Sequence, residues 1–250
     1  MPSFRIATYN IHKGYRAGNR SFVVDAIRTA VHALRPEIAF FQEVVGDDAR
    51  LAPRMPSGVP PSQYEFLKSD SLIHASYGRN VIYPRGHYGN AILSSSFIET
   101  EENIDLSVDP YVARGALYAS FRLPGLGDRR LHAACVHLGL IEGERRSQIR
   151  RLCDELARRA PPDEPLLVVG DFNDWRERST QELKRELGLG EAFQDFYGHH
   201  VRTFPSWLPT LRLDRIYYRH LALKSCERPA GTPWNRLSDH LPLVADFDAF

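Results

Sequence analysis

The chain has 250 residues, 43% of them hydrophobic and 25% charged, and 32 Lys and Arg against 31 Asp and Glu leave a formal net charge of +1. That composition excludes a disordered, collagenous or coiled-coil protein, and the near-neutral balance argues against one that lives by non-specific nucleic-acid binding, so any polyanion contact has to be local. Cys135, Cys153 and Cys226 are widely spaced and form no CxxC pair, which argues against a disulfide framework and against a zinc-thiolate site.

In chain order, the apolar periodicity predicts a strand over Phe4–Asn10 and then a helix in which Val24, Ile27, Val31 and Leu34 share a face and Pro36 stops the run. Strands follow at Ile38–Phe41, Asn90–Ser94, Val112–Phe121 and Leu131–Val136. A second helix places Ile149, Leu152, Cys153 and Leu156 at helical spacing in a highly charged segment that ends at Pro161-Pro162. Leu166–Val169 is a strand, Thr180 to Leu187 a weaker helix, and Leu213–Tyr218 and Leu241–Phe247 are the last two strands. Many strands and two or three helices point to a β-rich sandwich with helices packed outside it. No linker-like tract divides the chain, so one domain over residues 1–250 is expected. No apolar run approaches the roughly 18 residues that span a bilayer, and Met1 to Asn10 lacks the basic start and apolar stretch of a signal peptide, so the expected location is cytoplasmic.

Polar residues bound these runs in a consistent way. Asn10 ends the first strand, Glu43 follows Ile38–Phe41, His137 follows Leu131–Val136, and Asp171 and Asn173 follow Leu166–Gly170. Asp214 and the pair Asp239-His240 instead sit where strands begin. In a mixed or antiparallel sheet the ends of some strands share a rim with the beginnings of their neighbours, so all of these groups can converge. Taken singly, each is well explained as a turn or cap residue. Together they are an oxygen-rich set suited to a hard cation such as Mg²⁺ or Mn²⁺, with imidazoles left for proton transfer, the inventory of a metal-assisted phosphoester hydrolase.

The strings Thr8-Tyr9-Asn10, Gln42-Glu43-Val44, Tyr88-Gly89-Asn90-Ala91-Ile92-Leu93-Ser94, Val136-His137-Leu138, Gly170-Asp171-Phe172-Asn173, Leu213-Asp214-Arg215-Ile216 and Ser238-Asp239-His240-Leu241-Pro242 resemble, in order, the motifs of the endonuclease/exonuclease/phosphatase, or DNase I-like, superfamily. The likeness runs from residue 4 to 247, and with Thr8 to Gly14 and the Arg202–Arg212 stretch it resembles the bacterial YbhP-like branch. It implies an α+β fold, a four-layer α/β/β/α sandwich of two packed mixed β-sheets flanked by helices. It also implies roles: Glu43 the principal ligand of Mg²⁺ or Mn²⁺, helped by Asn10, with Asp239 on that ion or a second one. Asp171 and Asn173 would position the attacking water and a phosphate oxygen; His240, oriented by Asp214, would be a general base or a cationic phosphate contact; His137 would donate to the phosphate or protonate the leaving oxygen. Whether Asp171 or His240 takes the water proton is left open by the resemblance.

Arg114 interrupts a strand where secreted DNases carry a phosphate-binding arginine, a role that competes with an arginine merely paired to a carboxylate on the surface. Asn90 reads either as support for the site or, preferably, as the close of a turn after Gly89. A nuclease would need a basic track, for which Lys13, Arg16 and Arg20, or Arg145, Arg146, Arg150 and Arg151, are the candidates; the latter four alternate with acidic residues and read better as a solvated helix face. The apolar stretch Arg202 to Arg212 is either a lip for a lipid, sugar-lipid or base, or, by preference, a loop packed on the sandwich edge. The expectation is a metal-dependent phosphodiesterase acting on a phospholipid, small molecule or nucleic acid, as a monomer with no obligate protein partner. A nuclease, a phosphomonoesterase and a catalytically silent binding module are the alternatives.

Overall fold

The computed structural model describes residues 3–18, 21–55, 62–108 and 113–248. Among them the strands are β1 (Ser3–Asn10), β2 (Ile38–Asp48), β3 (His74–Tyr83), β4 (Gly86–Ser94), β5 (Ile98–Asp105), β6 (Gly115–Phe121), β7 (Leu131–His137), β8 (Leu166–Asp171), β9 (Gly190–Glu191), β10 (Asp214–Arg219), β11 (Ala222–Glu227) and β12 (Leu243–Asp248). The helices are α1 (Val24–Ala33), α2 (Gln63–Leu67), α3 (Glu142–Arg159), α4 (Ser179–Leu187) and α5 (Ala192–Tyr197). The strands form two six-stranded sheets, ordered β11-β12-β1-β2-β4-β3 and β5-β6-β7-β8-β10-β9. β1 with β2 and β7 with β8 run parallel; the other pairings are antiparallel. This is the expected four-layer α/β/β/α sandwich.

Strand alternation builds the layers. Phe4 and Ile6 of β1, Leu131, Ala133 and Cys135 of β7, and Leu243, Ala245 and Phe247 of β12 point between the sheets into one apolar core. Over the central strands the opposite faces are covered as well. Ala134 and Val136 of β7 meet Ile149, Leu152 and Leu156 of α3, while Tyr9 and Phe41 of the first sheet meet Val24, Ile27 and Val31 of α1. Central strands covered on both faces read as near-continuous apolar runs, which is why they stand out in the sequence. Among the described residues no helix is long and apolar enough to cross a membrane.

Several boundaries differ from the sequence expectation. β2 does not end at Phe41 but continues to Asp48 through a bulge, β4 begins at Gly86 rather than Asn90, and β12 begins at Leu243 rather than Leu241. β6 begins at Gly115, and Val112 lies outside the described residues. β3, β5, β9 and β11 have no counterpart in the expectation. All four are sheet edges, and β5 (IETEENID) is charged at half of its positions with Ile104 as its buried residue, a composition that protects an edge from pairing but hides a strand.

Candidate active site

Parallel β7 and β8 and antiparallel β10 bring three motif residues side by side: His137 pairs with Asp171, and Asp171 with Asp214. Gly170 makes this possible. Its φ is +138°, and a Cβ there would lie 2.1 Å from the Val136 carbonyl oxygen, so only glycine lets the two backbones approach at this point. On the first sheet, Asn10 ends β1 next to Gln42 of β2. Glu43 sits in the β2 bulge, where the pairing steps from Phe41↔Ala91 to Val44↔Gly89, and it takes a φ of 56°. The bulge turns this carboxylate toward the rim instead of along the sheet face.

The two sheets meet through side chains. Asn10 Nδ2 donates to Asp171 Oδ2 at 3.1 Å, and the Asn173 amide donates to Asp171 Oδ1 at 2.9 Å. Asn173, itself at a φ of 50°, donates its Nδ2 to the Leu138 carbonyl at 2.9 Å, which ties the turn after β8 to the turn after β7. His240 Nδ1 lies 2.9 Å from Asp214 Oδ2, leaving Nε2 to face Asp171 Oδ2 at 3.7 Å; His137 Nε2 faces the same oxygen at 3.6 Å. The segment carrying Asp239 and His240 is clasped in place: Ser238 Oγ donates to the Asn10 carbonyl at 2.7 Å, Ser206 N to the Asp239 carbonyl at 2.7 Å, and Leu241 N to the Thr203 carbonyl at 2.9 Å.

Burial and charge then set the protonation of these groups. Burial and the neighbouring Arg114 guanidinium push His137 down to about 3, so it is neutral at physiological pH. His240 moves the other way, because burial is outweighed by the Asp214, Asp171 and Asp239 carboxylates around it. Asp171 is pushed up by burial, opposed by His240 and reinforced by Asp214. For Glu43, burial is outweighed by the positive charges it faces, from His137 when protonated and from Lys13, and the carboxyl is held down at about 2. Since His137 is held neutral, the Lys13 ammonium, 2.7 Å from Glu43 Oε2, is the counter-charge at physiological pH.

Glu43 and Asp239 are the two partly exposed carboxylates of the rim, and His12 Nδ1 lies between them, 4.0 Å from Glu43 Oε2 and 3.2 Å from Asp239 Oδ2. A site that already gathers an ammonium and an imidazole onto two carboxylates is one where a divalent cation finds hard oxygen donors, with Asn10 beside them. Asp171, Asp214 and His240 form a second grouping able to hold a metal, their ligand atoms all within 4.8 Å of one another. The Asp214–His240 contact is at hydrogen-bonding distance, the geometry of a carboxylate orienting an imidazole.

A cavity of about 270 Å³ joins Glu43, Arg114, His137, Asp171, Asn173 and His240 to an apolar wall of Leu140, Trp175, Phe204, Leu211 and Leu213. Arg114 faces this cavity, and its buried Nε has no hydrogen-bond partner among the described residues. Among the described residues it forms no ion pair with a carboxylate, so they give no support to the alternative of a carboxylate-paired surface arginine. A larger cavity of about 410 Å³ lies next door between α3 and α4, but Arg146, Arg176 and Arg178 there already engage Glu142, and Arg150 engages Glu182.

All nine residues singled out as site candidates thus line one rim: Asn10, Glu43, Arg114, His137, Asp171, Asn173, Asp214, Asp239 and His240. Other expectations are corrected. Asn90 closes no turn: it lies within β4 and donates from Nδ2 to the Gly115 and Cys135 carbonyls of the opposite sheet. Arg145 is not on a solvated face but buried, donating to the Gly139 and Leu140 carbonyls and stacked over Trp175. The 202–212 stretch is packed at Thr203 and Ser206 but carries Trp207, Leu208 and Leu211 outward. Arg16 is exposed and Arg20 lies outside the described residues. His12 and Trp175 were missed as site residues; their signal was adjacency, two residues after Asn10 and two after Asn173.

Residues 7–240 match the Endonuclease/Exonuclease/phosphatase family. The chain is 42% identical to the uncharacterized protein YbhP of Escherichia coli strain K12, over 98% of this chain and 96% of that one. Its fold is similar to an endonuclease/exonuclease/phosphatase from Bacteroides vulgatus (TM-score 0.76, 21% identity, all of both chains). The human Nocturnin catalytic domain with bound sulfate anion is as similar (TM-score 0.76, 21% identity, 100% of this chain and 94% of that one).

Proposed function

The chain belongs to the endonuclease/exonuclease/phosphatase family, whose members are generally divalent-metal-dependent hydrolases of phosphoester bonds, and we propose that it is a phosphodiesterase that uses metal-activated water. One observation carries this reading: the Asp214–His240–Asp171 array faces, across a single small cavity, an arginine whose buried Nε has no partner among the described residues. That arrangement offers a proton acceptor on one side and an anion receptor on the other. Glu43, Asn10 and Asp239 are the residues that would hold Mg²⁺ or Mn²⁺, which when bound neutralises charge on the phosphoryl group and lowers the pKa of its water.

The protein's own groups do the rest. Arg114 and neutral His137 donate to the phosphoryl oxygens, and Asn173 fixes the approach of the water. The water proton passes to the Asp171–His240 pair, whose imidazole Asp214 holds by Nδ1 so that Nε2 faces Asp171. The water oxygen bonds to phosphorus, one ester P–O bond breaks, and the alkoxide that leaves takes up a proton, giving an alcohol and a phosphomonoester. A nuclease reading has less support, because Arg145, Arg146, Arg150 and Arg151 are respectively buried or facing Glu142, Glu182 and Asp105, and do not form a basic track.

The test is hydrolysis of bis-p-nitrophenyl phosphate and p-nitrophenyl phosphate with Mg²⁺ or Mn²⁺. Turnover of the diester is expected to exceed that of the monoester, to vanish in EDTA, and to fall about a thousandfold or more in Asp171→Ala with circular dichroism unchanged. Activity that survives EDTA, or a faster monoester, overturns the proposal.

A further inference from the structure

Twelve large hydrophobic side chains are exposed among the described residues, and six of them, Leu140, Ile141, Trp175, Trp207, Leu208 and Leu211, sit on just three loops. Those loops follow β7, follow β8 and precede β10, so each leaves the sheet at a residue of the site: His137, Asp171 and Asp214. Leu140, Trp175 and Leu211 also form the apolar wall of the cavity, which makes the exposed patch continuous with the place where the phosphoester is held. Solvated loops carry scattered apolar groups at a cost, and a ring of them at the mouth of one cavity marks a surface that is covered in use.

We propose that this rim rests on an anionic phospholipid bilayer and that the diester it admits is a phospholipid; the substrate assignment builds on the phosphodiesterase reading above. Trp207 is the most exposed of the six at 66%, and Leu208 beside it is 57% exposed. They form the tip of a hairpin closed by the Phe204↔Leu211 bridge, flanked by Pro205 and Pro209 and anchored by Ser206 to the Asp239 and Ser238 carbonyls. A rigid tip of this kind can enter the interfacial layer without first being ordered.

Charge fits the same partner. Beside Leu140 and Ile141, the three guanidiniums of Arg146, Arg176 and Arg178 share one carboxylate, Glu142, leaving a local positive surplus that suits anionic headgroups. Single-stranded nucleic acid is the weaker match. Four of the six exposed groups are aliphatic and offer bases no stacking face, and among the described residues no basic track leads away from the rim.

The experiment uses the full chain loaded with Mg²⁺, sedimented with vesicles of equimolar phosphatidylcholine and phosphatidylglycerol, beside the double variant Trp207→Ser, Leu208→Ser, whose residues lie outside the catalytic cavity. The variant is expected to lose vesicle binding by about tenfold or more and turnover of vesicle phospholipid with it, while hydrolysing soluble bis-p-nitrophenyl phosphate as the parent does. Failure of the parent to bind vesicles, or equal binding by the variant, overturns the bilayer proposal, and so does a variant that instead loses binding to a short single-stranded oligodeoxynucleotide. Loss of bis-p-nitrophenyl phosphate hydrolysis in the parent is the separate result that overturns the phosphodiesterase reading.

Discussion

His137 and His240 are two imidazoles of one cavity driven in opposite directions. His240 is surrounded by Asp214, Asp171 and Asp239, which favour its cation despite burial, whereas His137 is buried facing Arg114 and stays neutral. Environments that push like groups apart divide their tasks, one taking positive charge and the other donating a hydrogen bond. His137 also leaves a signature in stability. Its proton affinity is depressed from an ordinary 6.5 to about 3 on folding, so between those values the unfolded chain binds more protons than the native one. Its contribution is therefore fully present above pH 6.5 and is lost as pH falls toward about 3, at up to about 1.4 kcal/mol per pH unit. Urea unfolding of the metal-free protein from neutral pH downward is expected to give a shallower acid limb for His137→Asn than for the parent. Parallel limbs would mean that the ring is protonated in the native state.

At the scale of strands and turns, the site depends on places where regular structure is broken. Gly170 is such a place: in Gly170→Ala the new methyl meets the Val136 backbone carbonyl, which cannot move aside without shifting His137 or Asp171. The substitution is expected to cost about 2–3 kcal/mol in denaturant midpoint and to lower kcat on the diester, measured on the same preparation. Unchanged kcat at reduced stability would show that the β7–β8 contact does not set the catalytic geometry. The same breaks explain what the sequence discloses. Central strands and their terminal polar residues are legible because each motif is local, an apolar run with an Asn, Asp or His at its end. The bulge at Glu43 is not, because it exists only through the mismatch of β2 with β4, nor is the inter-sheet task of Asn90, whose partners lie 25 and 45 residues away. The outward tip of the 202–212 stretch is not legible for a similar reason: apolar composition cannot distinguish a loop packed on the core from one that carries its apolar groups outward.

On the scale of the whole molecule, the site belongs to neither sheet alone. Asn10 and Glu43, with Asp239 and His240 just ahead of β12, come from the first sheet; His137, Asp171, Asn173 and Asp214 come from the second. Catalytic geometry is then the relative placement of two rigid layers, and a stitch between them is a positioning element even when it touches no substrate. Asn90 is such a stitch, one amide group of β4 donating at 3.0 and 3.1 Å to the carbonyls of Gly115 and Cys135 across the interface. Asn90→Ala leaves both buried carbonyls without this donor, at a cost of about 1–3 kcal/mol for each one left unsatisfied. If the layers must be held in register, kcat is expected to fall on the order of tenfold or more, because a displacement well under an ångström misaligns Asp171 with His240. Mg²⁺ affinity measured by calorimetry should stay within about twofold, since the proposed ligands Asn10, Glu43 and Asp239 all move with the first sheet. A parallel fall in both would place the damage inside the first sheet and exclude a loss of register between the two.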